Sequence, residues 1–186
     1  MTESGRAQRR WLPLLLVAPV TAGVILLMAI GALTVIRSLR GDSAAVSAEV
    51  GGRAPDITVK DLQGKTVSLS DFRGKTVLLN FRTTWCGYCR AEAPELQAAH
   101  ESIDGLVILG VNIRESAEVV RRYMDDLGLT FAMLLDESGE AANTYGVRGI
   151  PASFLIGSDG RVFAETVGPL SLFRIRSYLA EHESGQ

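Results

Sequence analysis

Apolar and charged positions divide the chain into two unlike parts. From Trp11 to Ile36 no residue is charged. As an α-helix rising 1.5 Å per residue, this run reaches about 39 Å, enough to cross a hydrocarbon core about 30 Å thick with tilt. The pattern predicts a transmembrane anchor over 11–36, in which Pro13 and Pro19 are tolerated as they are in membrane spans. Arg6, Arg9 and Arg10 precede the run and Arg37 and Arg40 follow it, and with the amino terminus this bias leaves residues 1–10 as a cytoplasmic tail. The competing pattern is a cleaved secretory signal ending at Val46-Ser47-Ala48, but its apolar region is usually about 7–15 residues long. Here the run is longer, and Arg37 and Arg40 separate it from the cleavage motif, so an uncleaved anchor is expected. In either case the remainder of the chain is exported.

Residues 37–52 are rich in Ser, Ala and Gly with little apolar periodicity and read as a flexible linker, after which a folded domain over 53–186 is expected. Ile57-Lys60 and Thr66-Leu69 flank a turn-rich Asp61-Leu62-Gln63-Gly64-Lys65 and suggest a hairpin. Thr76-Phe81 is a continuous β-prone run, as a strand buried on both faces of a parallel sheet requires. Good helix formers then predict a helix over Cys86-His100, kinked at Pro94. Leu106-Val111 and Phe131-Leu135 read as strands around an amphipathic helix at Ala117-Leu127. A short helix at Glu140-Tyr145, a hairpin of Ser153-Ile156 and Arg161-Thr166, and a last helix near Leu170-His182 complete the pattern. Strands alternating with helices before a closing hairpin imply an α/β sandwich.

Composition narrows the function. Hydrophobic residues make up 47% of the chain and charged residues 22%, which excludes a disordered protein. A formal charge of -2 leaves no excess of Lys and Arg for phosphates, so nucleic acid is not an expected partner. A structural zinc site needs about four Cys and His ligands, and two Cys with only His100 and His182 leave none spare. No metal site and no cofactor are expected.

The chemistry concentrates where the run Thr76-Phe81 gives way to a helix, at Trp85-Cys86-Gly87-Tyr88-Cys89. A helix N-terminus offers free N–H groups and partial positive charge, which favour the thiolate of Cys86, the attacking species in disulfide exchange. Cys89, three residues on, can reach back and resolve the mixed disulfide. Two inert structural cysteines and a copper(I) carrier are the competing readings; a carrier would recruit a third ligand, and His100 and His182 instead sit where helices end.

The order of Ala54-Pro55-Asp56, Asp61-Leu62-Gln63-Gly64-Lys65, Val67 to Lys75, Leu79-Asn80-Phe81 and Trp85-Cys86-x-x-Cys89-Arg90-x-Glu92-x-Pro94-Glu95-Leu96 resembles the TlpA/ResA branch of the thioredoxin superfamily. Gly146 to Pro151 followed by Ser153-Phe154-Leu155-Ile156 extends the similarity over residues 50 to about 180. The resemblance implies a thioredoxin-like fold, a central mixed β-sheet flanked by helices, behind one N-terminal transmembrane helix. It implies a monomeric thiol-disulfide oxidoreductase tethered outside the cytoplasmic membrane, recharged by a membrane electron-donor protein. Its substrates would be exported cysteine-containing proteins, such as apocytochrome c or cofactor-assembly proteins. Carried over by residue, Cys86 is the nucleophile, Cys89 its partner in the redox-active disulfide, and Pro151 a cis-proline beside them. The Ile150 backbone would pair an extended substrate segment. Glu92, one turn after Cys89, would exchange a proton with the resolving thiol; the plainer reading is an exposed residue paired with Arg90. Trp85 and Tyr88 would line the substrate site or serve only as apolar cover.

Two positions depart from that branch. Arg82 stands where it usually carries an aromatic residue and is expected to point to solvent, the alternative being a positive charge that favours the Cys86 thiolate. Gly87-Tyr88 lacks the proline common between the two cysteines and resembles the pair of periplasmic disulfide isomerases, which keeps an isomerase or oxidant open. A peroxiredoxin-like peroxidase shares the opening Ala-Pro-Asp strand but normally lacks the Trp-Cys-x-x-Cys element.

Overall fold

The computed structural model describes residues 48–185. The expected anchor over 11–36, the tail over 1–10 and most of the linker lie outside the described residues. Among those described, no helix is long and apolar enough to cross a membrane.

Seven strands form one mixed sheet: β1 (Thr58–Asp61), β2 (Thr66–Ser68), β3 (Thr76–Arg82), β4 (Leu106–Ile113), β5 (Ala132–Asp136), β6 (Ala152–Ile156) and β7 (Val162–Val167). Among the described residues four α-helices accompany them: α1 (Gly87–Ser102), α2 (Ala117–Leu127), α3 (Glu140–Thr144) and α4 (Leu172–Ser184). The strand order is β2-β1-β5-β4-β3-β6-β7. β3, β4 and β5 run parallel, while β6 lies antiparallel against β3 and β1 antiparallel against β5. The continuous apolar run of β3 follows from this central place, since both of its faces are covered. Val77, Leu79 and Phe81 enter a core shared with Val111, Phe154 and Tyr145, and Leu78 enters one shared with Ala93, Leu96, Val120 and Ile175.

The boundaries shift by a residue or two from the sequence reading, and two shifts matter. β3 runs on to Arg82, which pairs in register with Asn112 of β4. The folded unit also begins before Arg53: the Gly51 amide donates to the Val162 carbonyl at 2.7 Å and the Val162 amide to the Gly52 carbonyl at 2.9 Å. The end of the expected linker is therefore tied to the start of β7. Pro94 lies inside α1 on its exposed side, so the missing amide is not on the face that packs against the sheet.

Candidate active site

The chain leaves β3 at Arg82 and enters α1 at Gly87, and Glu115 fixes the turn between them. Its carboxylate accepts the Thr84 hydroxyl at 2.6 Å, the Thr84 amide at 2.9 Å and the Asn112 side-chain amide at 2.6 Å. Cys86 then caps α1: its Sγ accepts the Cys89 amide at 3.1 Å, satisfying one of the orphan donors of the first turn. On its other side Sγ donates to the Ile150 carbonyl at 3.8 Å, so the sequence segments around 86 and 150 meet here.

Both cysteines are free thiols in unlike surroundings. Cys86 keeps 7% of its surface exposed and Cys89 none. Burial pushes the Cys89 thiol up to about 12, and its hydrogen bond with Cys86 adds to the rise. The Ile150–Pro151 peptide is cis, as the resemblance implies, and Pro151 is buried. Trp85 and Tyr88 project outward, 75% and 69% exposed, flanking the capping cysteine in sequence.

Glu92 is not the exposed helix residue of the plainer reading. It lies on the stripe of α1 made by Cys89, Glu92, Ala93, Leu96 and Ala99, facing the sheet. Its carboxylate accepts the Asn80 side-chain amide at 2.8 Å and the Leu170 amide at 3.0 Å, and Asn80 also donates to Ser153 Oγ at 2.9 Å. Burial holds the carboxyl above its ordinary value despite these donors and the Arg82 charge, which pull it down.

Arg82 overturns the expectation of a solvent-facing side chain. It is wholly buried, because position 82 falls on the same face of β3 as Asn80, the face covered by α1 and α2. Its Nη2 donates to the Cys89 carbonyl at 2.7 Å and to the Tyr123 hydroxyl. Tyr123, from α2, carried no mark of function in the sequence, since an aromatic residue on an amphipathic helix reads as core. Glu115 was equally illegible, being one acid among many in a loop. His100 and His182 do lie in the last turns of α1 and α4, and among the described residues no cluster of His, Cys, Asp and Glu could hold a metal ion.

Comparison with known proteins gives this geometry its class. Residues 50–164 match the AhpC/TSA family. Over 161 residues the chain is 37% identical to the thiol-disulfide oxidoreductase ResA of Geobacillus thermodenitrificans, covering 84% of this chain and 91% of that protein. Over 133 residues it is 37% identical to ResA of Bacillus thuringiensis, covering 70% and 77%. The chain belongs to the ResA thiol-disulfide oxidoreductases. A solved thioredoxin domain of a thiol-disulfide oxidoreductase from Bacteroides vulgatus matches with a TM-score of 0.63 at 29% identity, covering 72% of this chain and 99% of that one. The fold is thus thioredoxin-like, and the family's activity requires cysteine-containing partners. The two Cys of this chain stand together at the start of α1.

Proposed function

We propose that the chain is a membrane-anchored, extracytoplasmic reductant of disulfides in exported proteins, with apocytochrome c and other cofactor-assembly proteins as its substrate class. The observation that carries this reading is the asymmetry of the two thiols. Cys86 is partly accessible and receives an amide N–H, so it attacks the substrate disulfide and forms a mixed disulfide. Cys89 is enclosed and protonated, so it meets no external partner and serves to displace the substrate from Cys86. Its proton passes to Glu92 or to water, the Cys86–Cys89 disulfide forms, and the substrate leaves reduced. A membrane electron-donor protein then restores the dithiol. The uncharged run Trp11-Ile36 supports the anchor, with residues 1–10 on the cytoplasmic side. The cis Ile150–Pro151 segment and the exposed Trp85 and Tyr88 rings form the surface against which an extended substrate strand lies.

The test is the reduction potential of the Cys86/Cys89 pair in the full chain, equilibrated against defined thiol buffers and read by alkylation. A value at or below about -250 mV is expected of a reductant, whereas about -120 to -180 mV would reassign the chain as an oxidant or isomerase. Cys86→Ala is expected to abolish exchange and Cys89→Ala to accumulate mixed disulfides. Full turnover by either variant would remove the mechanism.

A further inference from the structure

Arg82 is a buried cation with no carboxylate in ion-pair contact, although the buried Glu92 carboxyl lies near enough to feel its charge. The ion pairs among the described residues join Arg122 to Glu118 and Arg161 to Asp159, leaving Arg82 with no carboxylate within 4.0 Å. Taking a guanidinium out of water in this way is strongly unfavourable unless hydrogen bonds or a neighbouring negative charge compensate it. The hydrogen bonds present are to neutral groups. Nη2 serves the Cys89 carbonyl and the Tyr123 hydroxyl, and that hydroxyl donates to the same carbonyl at 3.3 Å. The guanidinium carbon lies 5.2 Å from the Tyr123 ring centroid, while Nε and Nη1 have no hydrogen-bond partner. In both the dithiol with Cys89 protonated and the disulfide, Cys89 carries no charge to answer this cation. A negative charge develops beside it at one stage of exchange, when Cys89 loses its proton to break the mixed disulfide.

We propose that Arg82 is a positioning residue for the resolving step: held by Tyr123 against the Cys89 carbonyl, its buried cation stabilises the Cys89 thiolate as that thiolate forms. The inference rests on Cys89 being the resolving thiol. In the step itself, Cys89 gives its proton to Glu92 or to water and its sulfur attacks Cys86 Sγ. The Cys86–Cys89 bond forms as the Cys86–substrate bond breaks, and the substrate sulfur leaves with the electron pair as a thiolate. The other titratable groups near Cys89 come from three places. Cys86 lies before α1, Glu92 is on the next turn of α1, and Tyr123 comes from α2. Arg90 lies 5.5 Å from the Tyr123 ring centroid but is exposed, so solvent screens it. Arg82 is the cation of this group that water does not reach, which is why its charge is felt at the sulfur.

The experiment uses the reduced full chain mixed rapidly with dithiobis(nitrobenzoate), whose coloured thiolate is released twice. The first release reports attack by Cys86 and the second reports resolution by Cys89. Wild type, Arg82→Lys and Arg82→Met are compared over a pH series. Loss of the cation raises the Cys89 thiol; each unit leaves tenfold less thiolate, partly offset by greater nucleophilicity, so the second release slows by about threefold per unit. Arg82→Met is therefore expected to slow the second release relative to the first and to move its pH profile upward, with Arg82→Lys between it and wild type. An unchanged profile in folded Arg82→Met would overturn the proposal. Should that variant not fold, Arg82→Trp, which supplies the aromatic type found here in the branch the sequence resembles, takes its place with the same expected shift. Absence of any second release in wild type would instead overturn the resolving role of Cys89, an outcome distinct from failure of the Arg82 inference.

Discussion

Two thiols three residues apart differ because one caps a helix and the other lies beneath it. Cys86 takes the amide of Cys89 as a capping serine would, while the first turn of α1 carries Cys89 onto the face that packs on the sheet. The same turn carries Glu92 inward, a position the sequence left open against an exposed one: 89, 92, 93, 96 and 99 share one helical face, and the structure packs that face on the sheet. Its titration gives a prediction with a definite sign. A carboxyl whose folded value lies above the ordinary 4.5 favours the native state fully below 4.5 and loses that contribution as pH rises through the folded value. Urea unfolding at a series of pH values is therefore expected to show the Glu92→Gln chain gaining on wild type as pH rises from 4.5. A difference between the two that stays constant with pH would show that Glu92 does not hold a raised value in the native state.

Among the elements, β4 shows how closely the layers approach beneath the site. Gly110 pairs with Asn80 of β3 and Met133 of β5, and a Cβ there would stand 2.5 Å from Met133 Sδ and 3.2 Å from Phe131 Cε2. Gly110→Ala is thus expected to destabilise the fold by about 1–3 kcal/mol, as overpacking of a core does, measured as a lowered urea midpoint with unchanged slope. An unaltered midpoint would mean that the Met133 side chain gives way freely. The strands were legible as apolar runs, and α2 matched its sequence reading at Ala117–Leu127 because its polar face alternates cleanly with its apolar one. The extension of β3 to Arg82 was not, since a charged residue ends an apolar run in sequence whatever its neighbours do in space.

At the scale of the whole molecule, the antiparallel pairing of β6 with β3 joins residues far apart in the chain. Asn80 sits opposite Ser153, and the segment just before β6 brings the Ile150 carbonyl to Cys86. The proposed anchor belongs to this scale too. If residues 11–36 span a bilayer, the full chain stays with membranes through an alkaline carbonate wash, and residues 53–186 are open to protease from the extracytoplasmic side only. Release by the wash would contradict the anchor without touching the redox chemistry. What the sequence by itself determined is whatever depends on local order: the uncharged run, the helix junction that holds Cys86 and Cys89, the alternation of strands and helices, and the motif order that resembles a family. Tertiary structure alone decided that Arg82 is buried against Tyr123 and that Glu115 holds the turn before α1, because burial of a polar side chain and the partner that satisfies it arise when separate strands and helices pack. Spacing along one segment records neither.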